Sequence, residues 1–118
     1  MKINKARQSG LLLSPQEFFI LASLVDGPKH GYAIYKRVLE ITETRVKLRG
    51  ATLYENLSRM LSAGIIARDG DIQIETGERR KIYKITQDGG LAYEEQCKIY
   101  NKAICKCSNE LVPDFRSV

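Results

Sequence analysis

The stretch Gly50-Ala51-Thr52-Leu53-Tyr54-Glu55-Asn56-Leu57-Ser58-Arg59-Met60-Leu61-Ser62-Ala63-Gly64-Ile65-Ile66 decides the fold. Its apolar residues Leu53, Leu57, Met60 and Leu61 recur at the helical period, which predicts a helix over about 51–63 with one face on a core. Gly64 then supplies the left-handed residue on which helices commonly end. Thr52, Glu55, Asn56 and Arg59 share the other face. These are side chains suited to nucleic acid: asparagine pairs adenine in two places, arginine takes guanine or phosphate, and glutamate accepts from cytosine. Every amphipathic helix has a polar face, however, so the flanking elements must decide between a solvated face and a reading one.

Upstream, Ser14-Pro15-Gln16-Glu17 opens a first helix with a capping box and a proline at the first helical position. Phe18, Leu21, Leu24 and Val25 follow at helical spacing until Asp26-Gly27-Pro28 stops it. A second helix is predicted over about 30–43, with Ile34, Val38 and Ile41 as its apolar stripe and Lys36 outside it. Residues 44–50 carry Arg45, Lys47 and Arg49 and read as a basic connector. Downstream, Ile65 to Arg68 begins a strand that Ile72 and Ile74 continue, and Thr76-Gly77-Glu78 marks a turn. A return strand over 79–86 alternates Ile82 against Arg79, Lys81 and Tyr83.

Three helices followed by a hairpin with a basic rim is the winged-helix order. The expected class is mainly α with a small β-hairpin: an arm over 1–10, a winged helix-turn-helix domain over 11–88, and more helix beyond. In that logic the helix before the hairpin enters the major groove and the connector grips the backbone. The charge distribution agrees. Residues 1–90 hold 15 of the 19 basic and 10 of the 14 acidic side chains, so the whole net charge of +5 lies there. A basic surface points to a polyanionic partner, here double-stranded DNA.

The tail has a different pattern. Tyr93, Cys97, Tyr100, Ile104, Cys107 and Leu111 are spaced four and three in alternation, a heptad seam within a helix expected over about 89–112, ahead of a short tail over 113–118. The preceding elements can already close a small core, so the seam is expected to pair with a second copy as a homodimer. The other reading is that it folds back on its own domain. Cys97 and Cys107 on the seam read as small buried hydrophobes. A redox role lacks a neighbouring group in sequence that would lower a thiol pKa.

With these motifs on the page, the chain resembles the PadR family of winged-helix transcriptional regulators, over roughly residues 12–95. The resemblance is carried by His30-Gly31-Tyr32-Ala33-Ile34, by Gly50-Ala51-Thr52-Leu53-Tyr54 with Leu57, Arg59 and Met60, and by Gly64-Ile65-Ile66. Gly77, Arg80-Lys81-Ile82-Tyr83, Ile85-Thr86 and Gly89 complete it. It implies a homodimer joined largely through a single C-terminal helix, as in the short members, with paired recognition helices on a palindromic operator. It further implies that Tyr32 and Tyr54 hold the DNA backbone and that Arg80 and Lys81 serve the wing. Many members are repressors released by a small molecule or a partner protein. The chain departs from the pattern at Glu55, where proline is frequent, at Asn56, where an apolar residue is common, and at Leu61, where an acidic one is usual. Glu78-Arg79 replaces a frequent Arg-Pro at the wing tip. Without tryptophan, the drug-stacking pore of the multidrug-sensing members is not supported, although Tyr93 and Tyr100 offer a weaker version.

Other classes fit poorly. The single histidine, His30, sits at a helix start, where capping or phosphate contact accounts for it. No glycine-rich phosphate loop, paired-cysteine metal site or nucleophile elbow is present, so neither catalysis nor a cofactor or metal is expected. A winged helix that binds protein instead of DNA would want an apolar reading face, which Thr52, Glu55, Asn56 and Arg59 contradict. The longest apolar run, Phe18 to Val25, is far below the ~20 residues of a membrane span. Three cysteines give no disulfide framework. The expected location is cytoplasmic.

Overall fold

A computed structural model describes residues 12–109. The chain runs α1 (Pro15–Leu24), β1 (Lys29–His30), α2 (Gly31–Ile41), α3 (Gly50–Ala63), β2 (Ile66–Gln73), β3 (Arg79–Ile85) and α4 (Gln87–Asn109). The expected arm over 1–10, Leu111 of the seam and the tail over 113–118 lie outside the described residues. No helix among the described residues is long and apolar enough to cross a membrane.

α1 starts as its capping box dictates: the Ser14 hydroxyl accepts from the Glu17 amide at 3.1 Å, and the Glu17 carboxylate accepts from the Ser14 amide at 2.9 Å. Its buried set differs from the expected stripe. Ile20, Leu21 and Leu24 enter the core, while Phe18 turns toward α4 and Val25 is exposed. Phe18 to Leu24 is apolar at nearly every position, so periodicity selects no single face, and such a helix can bury two. In α2, Ile34 and Val38 are buried and Ile41, at the last position, is 38% exposed. α3 follows its periodicity, with Leu53, Leu57 and Met60 joining Leu48 of the connector in the same cluster. Gly64 closes α3 at φ 79°, and the amides of Gly64 and Ile65 donate back to the carbonyls of Leu61 and Met60 at 3.1 and 3.2 Å.

The three strands form an antiparallel sheet in the order β1-β3-β2. β1 is a strand the sequence did not announce, because two residues carry no alternation; it sets Lys29 opposite Tyr83 and His30 opposite Ile82. β3 is therefore central. Tyr83 shares a strand face with Arg79 and Lys81, yet only 4% of it is exposed. That face meets solvent at the wing tip and helices at the base, which corrects the outward placement expected for Tyr83. In β2 the register slips between Arg68 and Asp71, where Gly70 at φ 82° absorbs the extra residue.

The start of α4 is stitched to the end of α3. The Thr86 hydroxyl donates to the Gly64 carbonyl at 2.7 Å and accepts from the Gly89 amide at 3.0 Å. The Tyr93 ring then stacks on Phe18 at 5.1 Å, and Tyr100 meets Phe18 edge-on at 5.2 Å. Gln96 is buried; it accepts from the Leu13 amide at 2.8 Å and donates to the Leu13 carbonyl at 3.1 Å. At the beginning of the expected seam, Tyr93 and Tyr100 thus contact Phe18 of their own domain, with Tyr100 still 37% exposed. Cys97 is half-buried, Cys107 is exposed, and Ile104 is 62% exposed. The physical reason is that Phe18, left outside the core by α1, offers an aromatic face of its own.

Candidate nucleic-acid interface

Three elements converge on one side of the molecule: the starts of α2 and α3 and the outer half of β3. Between them lies an open cleft of about 600 Å³. Tyr32, Arg49, Tyr54, Arg79, Arg80 and Lys81 are on its walls. Gly31 allows the approach of the two helices, because a Cβ at this position would run into the Tyr54 ring. Tyr32 and Tyr54 are each half-exposed on the walls of the cleft.

The rings and cations are ordered against one another. The Arg80 guanidinium stands 5.6 Å from the centre of the Tyr32 ring and the Lys36 ammonium 5.8 Å from it. Arg49 lies 5.8 Å from the Tyr35 ring, which in turn is 5.9 Å from Tyr32. Such contacts hold a cation in place while leaving its donors for an anion. Tyr35 was missed by the sequence reading, although its position three residues after Tyr32 on one helix carried the signal. Asp71 draws off part of the wing's charge: its carboxylate is 2.7 Å from Arg68 and 3.9 Å from Arg79.

His30 is placed as a helix cap. Its Nδ1 accepts from the Ala33 amide at 3.2 Å, so the ring is neutral with its proton on Nε2. Burial, then the positive charge of Arg80, holds its pKa below the ordinary 6.5. A neutral His30 stabilises the fold fully above about 6.5, and that contribution is lost as pH falls through the lower folded value. His30 is the single histidine of the chain, so its proton resonance titrates without overlap. The midpoint is expected below 6.5 and is expected to rise in Arg80→Ala; a midpoint at or above 6.5 would contradict this environment.

On α3, Thr52, Glu55 and Arg59 are exposed. Asn56 is not, and its expected place on the reading face is corrected: it is 1% exposed, with its amide engaged on both sides. Its Nδ2 donates to the Thr52 carbonyl at 2.9 Å and to Gln16 Oε1 at 3.0 Å, and its Oδ1 accepts from Arg59 Nη2 at 2.9 Å. At about 100° per residue, Asn56 stands roughly 40° from Met60 around the helix and 100° from Glu55, inside the flank of the buried stripe. Lys47 is exposed on the connector. Lys36 and His30 border a second, shallower hollow beside Tyr32. The structure therefore gathers the tyrosines, Arg49 and the wing cations into one cleft, and leaves Thr52, Glu55 and Arg59 as a separate exposed face of α3.

The sequence profile of the PadR-like family of transcriptional regulators matches residues 20–95. The chain belongs to that family. Solved structures show the same fold around this PadR-like chain. A transcriptional regulator from Clostridium thermocellum is 29% identical, with 81% of this chain and 91% of that one covered and a TM-score of 0.65. A PadR family transcription regulator from hypervirulent Clostridium difficile is 24% identical over 84% of this chain and all of its own, with a TM-score of 0.69. Bacillus subtilis PadR, solved in complex with operator DNA, is 21% identical; 69% of this chain and 45% of that one are covered, with a TM-score of 0.61. No curated protein matches the chain.

Proposed function

We propose that this PadR-like chain is a sequence-specific DNA-binding regulator, acting as a homodimer on a palindromic operator and repressing transcription from it. The observation that carries this reading is the juxtaposition of the exposed Thr52, Glu55 and Arg59 face of α3 with the cleft of Tyr32, Arg49, Arg80 and Lys81. α3 enters the major groove, the cleft takes the flanking phosphates, and the wing lies along the backbone. The operator DNA held by Bacillus subtilis PadR, a protein of the same fold, supports the assignment. Residues 11–88 form the DNA-binding unit, and α4 carries the contacts that join two copies. Those contacts centre on Ile104, exposed in the single chain, with Cys107 and, in the sequence, Leu111 at the next positions of the seam. A small molecule or a partner protein releases the operator by shifting the relation between the two copies.

Single substitutions separate reading from gripping. Arg59→Ala is expected to lower the preference for operator over random duplex, since a good base contact discriminates by about 1–3 kcal/mol. Arg80→Ala and Lys81→Ala are expected to weaken both duplexes alike, as phosphate contacts do. Paired affinity measurements decide it; sequence preference lost in the wing variants and kept in Arg59→Ala would reverse the two roles.

A further inference from the structure

The amide of Asn56 is buried on the flank of the apolar stripe of α3. It lies beside Leu53, Leu57 and Met60 of α3, and a buried amide is tolerated there only because its groups are hydrogen-bonded. Both kinds of group are used. The donors are fixed by the Thr52 carbonyl within α3 and by Gln16 of α1. With the nitrogen held in that direction, the oxygen faces the Arg59 guanidinium at 2.9 Å.

Arg59 is an exposed arginine at the seventh position after Thr52, on a face with no other cation. An unrestrained arginine samples many rotamers, and ordering it on a ligand weakens binding. The guanidinium is a planar fork of five donors, so a bond to Nη2 restrains its position and leaves the remaining donors available.

We propose that Asn56 is a positioning residue for base readout: its buried amide, held by Gln16 and Thr52, tethers the Arg59 guanidinium in one orientation before DNA arrives. The proposal rests on the reading of α3 as the helix that meets base edges. It assigns to Asn56 a part in specificity without contact to DNA, and it makes α1 a partner in that specificity through Gln16.

The test uses the full chain and a duplex selected by the wild-type protein from genomic fragments, with a scrambled duplex as reference. Asn56→Leu replaces the amide with an apolar side chain of similar size, and circular dichroism checks that the fold is retained. The preference for the selected duplex is expected to fall about three- to tenfold, the cost of ordering one long side chain. In an Arg59→Ala background the same change is expected to have no further effect, since the tether then holds nothing. A second readout needs no DNA: rotation of the Arg59 guanidinium in the free protein, followed by exchange NMR, is expected to be slower in wild type than in Asn56→Leu. Equal rotation in the two, or losses from Asn56→Leu and Arg59→Ala that simply add, would overturn the proposal. A wild-type preference that Asn56→Leu leaves unchanged overturns the positioning role alone. A wild-type chain without any preference overturns the reading of α3, and this role with it.

Discussion

Ile104→Asp is expected to yield a folded monomer that has lost operator binding. Ile104 is 62% exposed in the single chain, an apolar side chain that the described residues leave mostly uncovered. In a symmetric dimer joined through α4 it is buried twice, so one substitution places two carboxylates in the interface. Burying each without a partner costs several kcal/mol unless it is protonated or reaches water. The fold itself does not depend on this position, because α4 is held to its domain earlier, by Tyr93 and Tyr100 on Phe18 and by Gln96 on Leu13. A lone subunit engages one half-site and forfeits the gain of linking two, a loss of about 100-fold or more in affinity. Light scattering, circular dichroism and an operator titration measure the three effects. A variant that remains dimeric and binds normally would show that the copies meet elsewhere.

Gly89→Ala is expected to be the most damaging single methyl group in the domain. A Cβ at Gly89 would collide with the Ile65 carbonyl, a backbone atom that has no rotamer to escape into, and would press on Ile85. The surroundings cannot yield easily, since the Ile65 carbonyl already accepts from the Thr86 amide at 3.2 Å and Thr86 binds both Gly64 and Gly89. Overpacking of this kind costs about 1–3 kcal/mol and occasionally more, and the upper end applies where backbone must move. For a domain of this size 2 kcal/mol corresponds to a fall of roughly 10 °C in Tm. A thermal melt of Gly89→Ala within 2 °C or so of wild type would mean that α4 shifts freely on its domain. At the neighbouring Gly90 nothing lies near a Cβ, so Gly90→Ala serves as the control.

The parts of this fold that are periodic or capped were legible in the sequence. α3 and its Gly64 stop, the capping box of Ser14 and Glu17, and the hairpin with its turn at Gly77 each carry a local signal that tertiary packing did not override. What was not legible has physical reasons. β1 is too short to alternate, and Tyr83 is buried because helices pack against the base of its strand face, a tertiary contact that alternation along β3 does not signal. Phe18 could not be separated from the core set, because most of its neighbours on α1 are apolar too. That ambiguity propagated to α4, where Tyr93 and Tyr100 fit a heptad and a self-packing face equally well. Asn56 is the instructive case. Its chemistry argued for DNA, but an apolar residue is common there in the family it resembles, and it stands on the flank of the apolar stripe. Position outweighed residue type.

The salt dependence of duplex binding decides whether this basic cleft grips a nucleic-acid backbone. Every phosphate neutralised by a lysine or arginine releases condensed counterions and contributes about −0.9 to the slope of log K against log salt concentration. Arg49, Arg80 and Lys81 lie on the cleft, so affinity measured by fluorescence anisotropy is expected to fall steeply and linearly as salt is raised. The slope is expected to become shallower by about one unit for each cleft cation replaced by alanine in a subunit. Affinity that stays flat from low to moderate salt, or a slope unchanged in Arg80→Ala, would contradict a cleft that holds DNA.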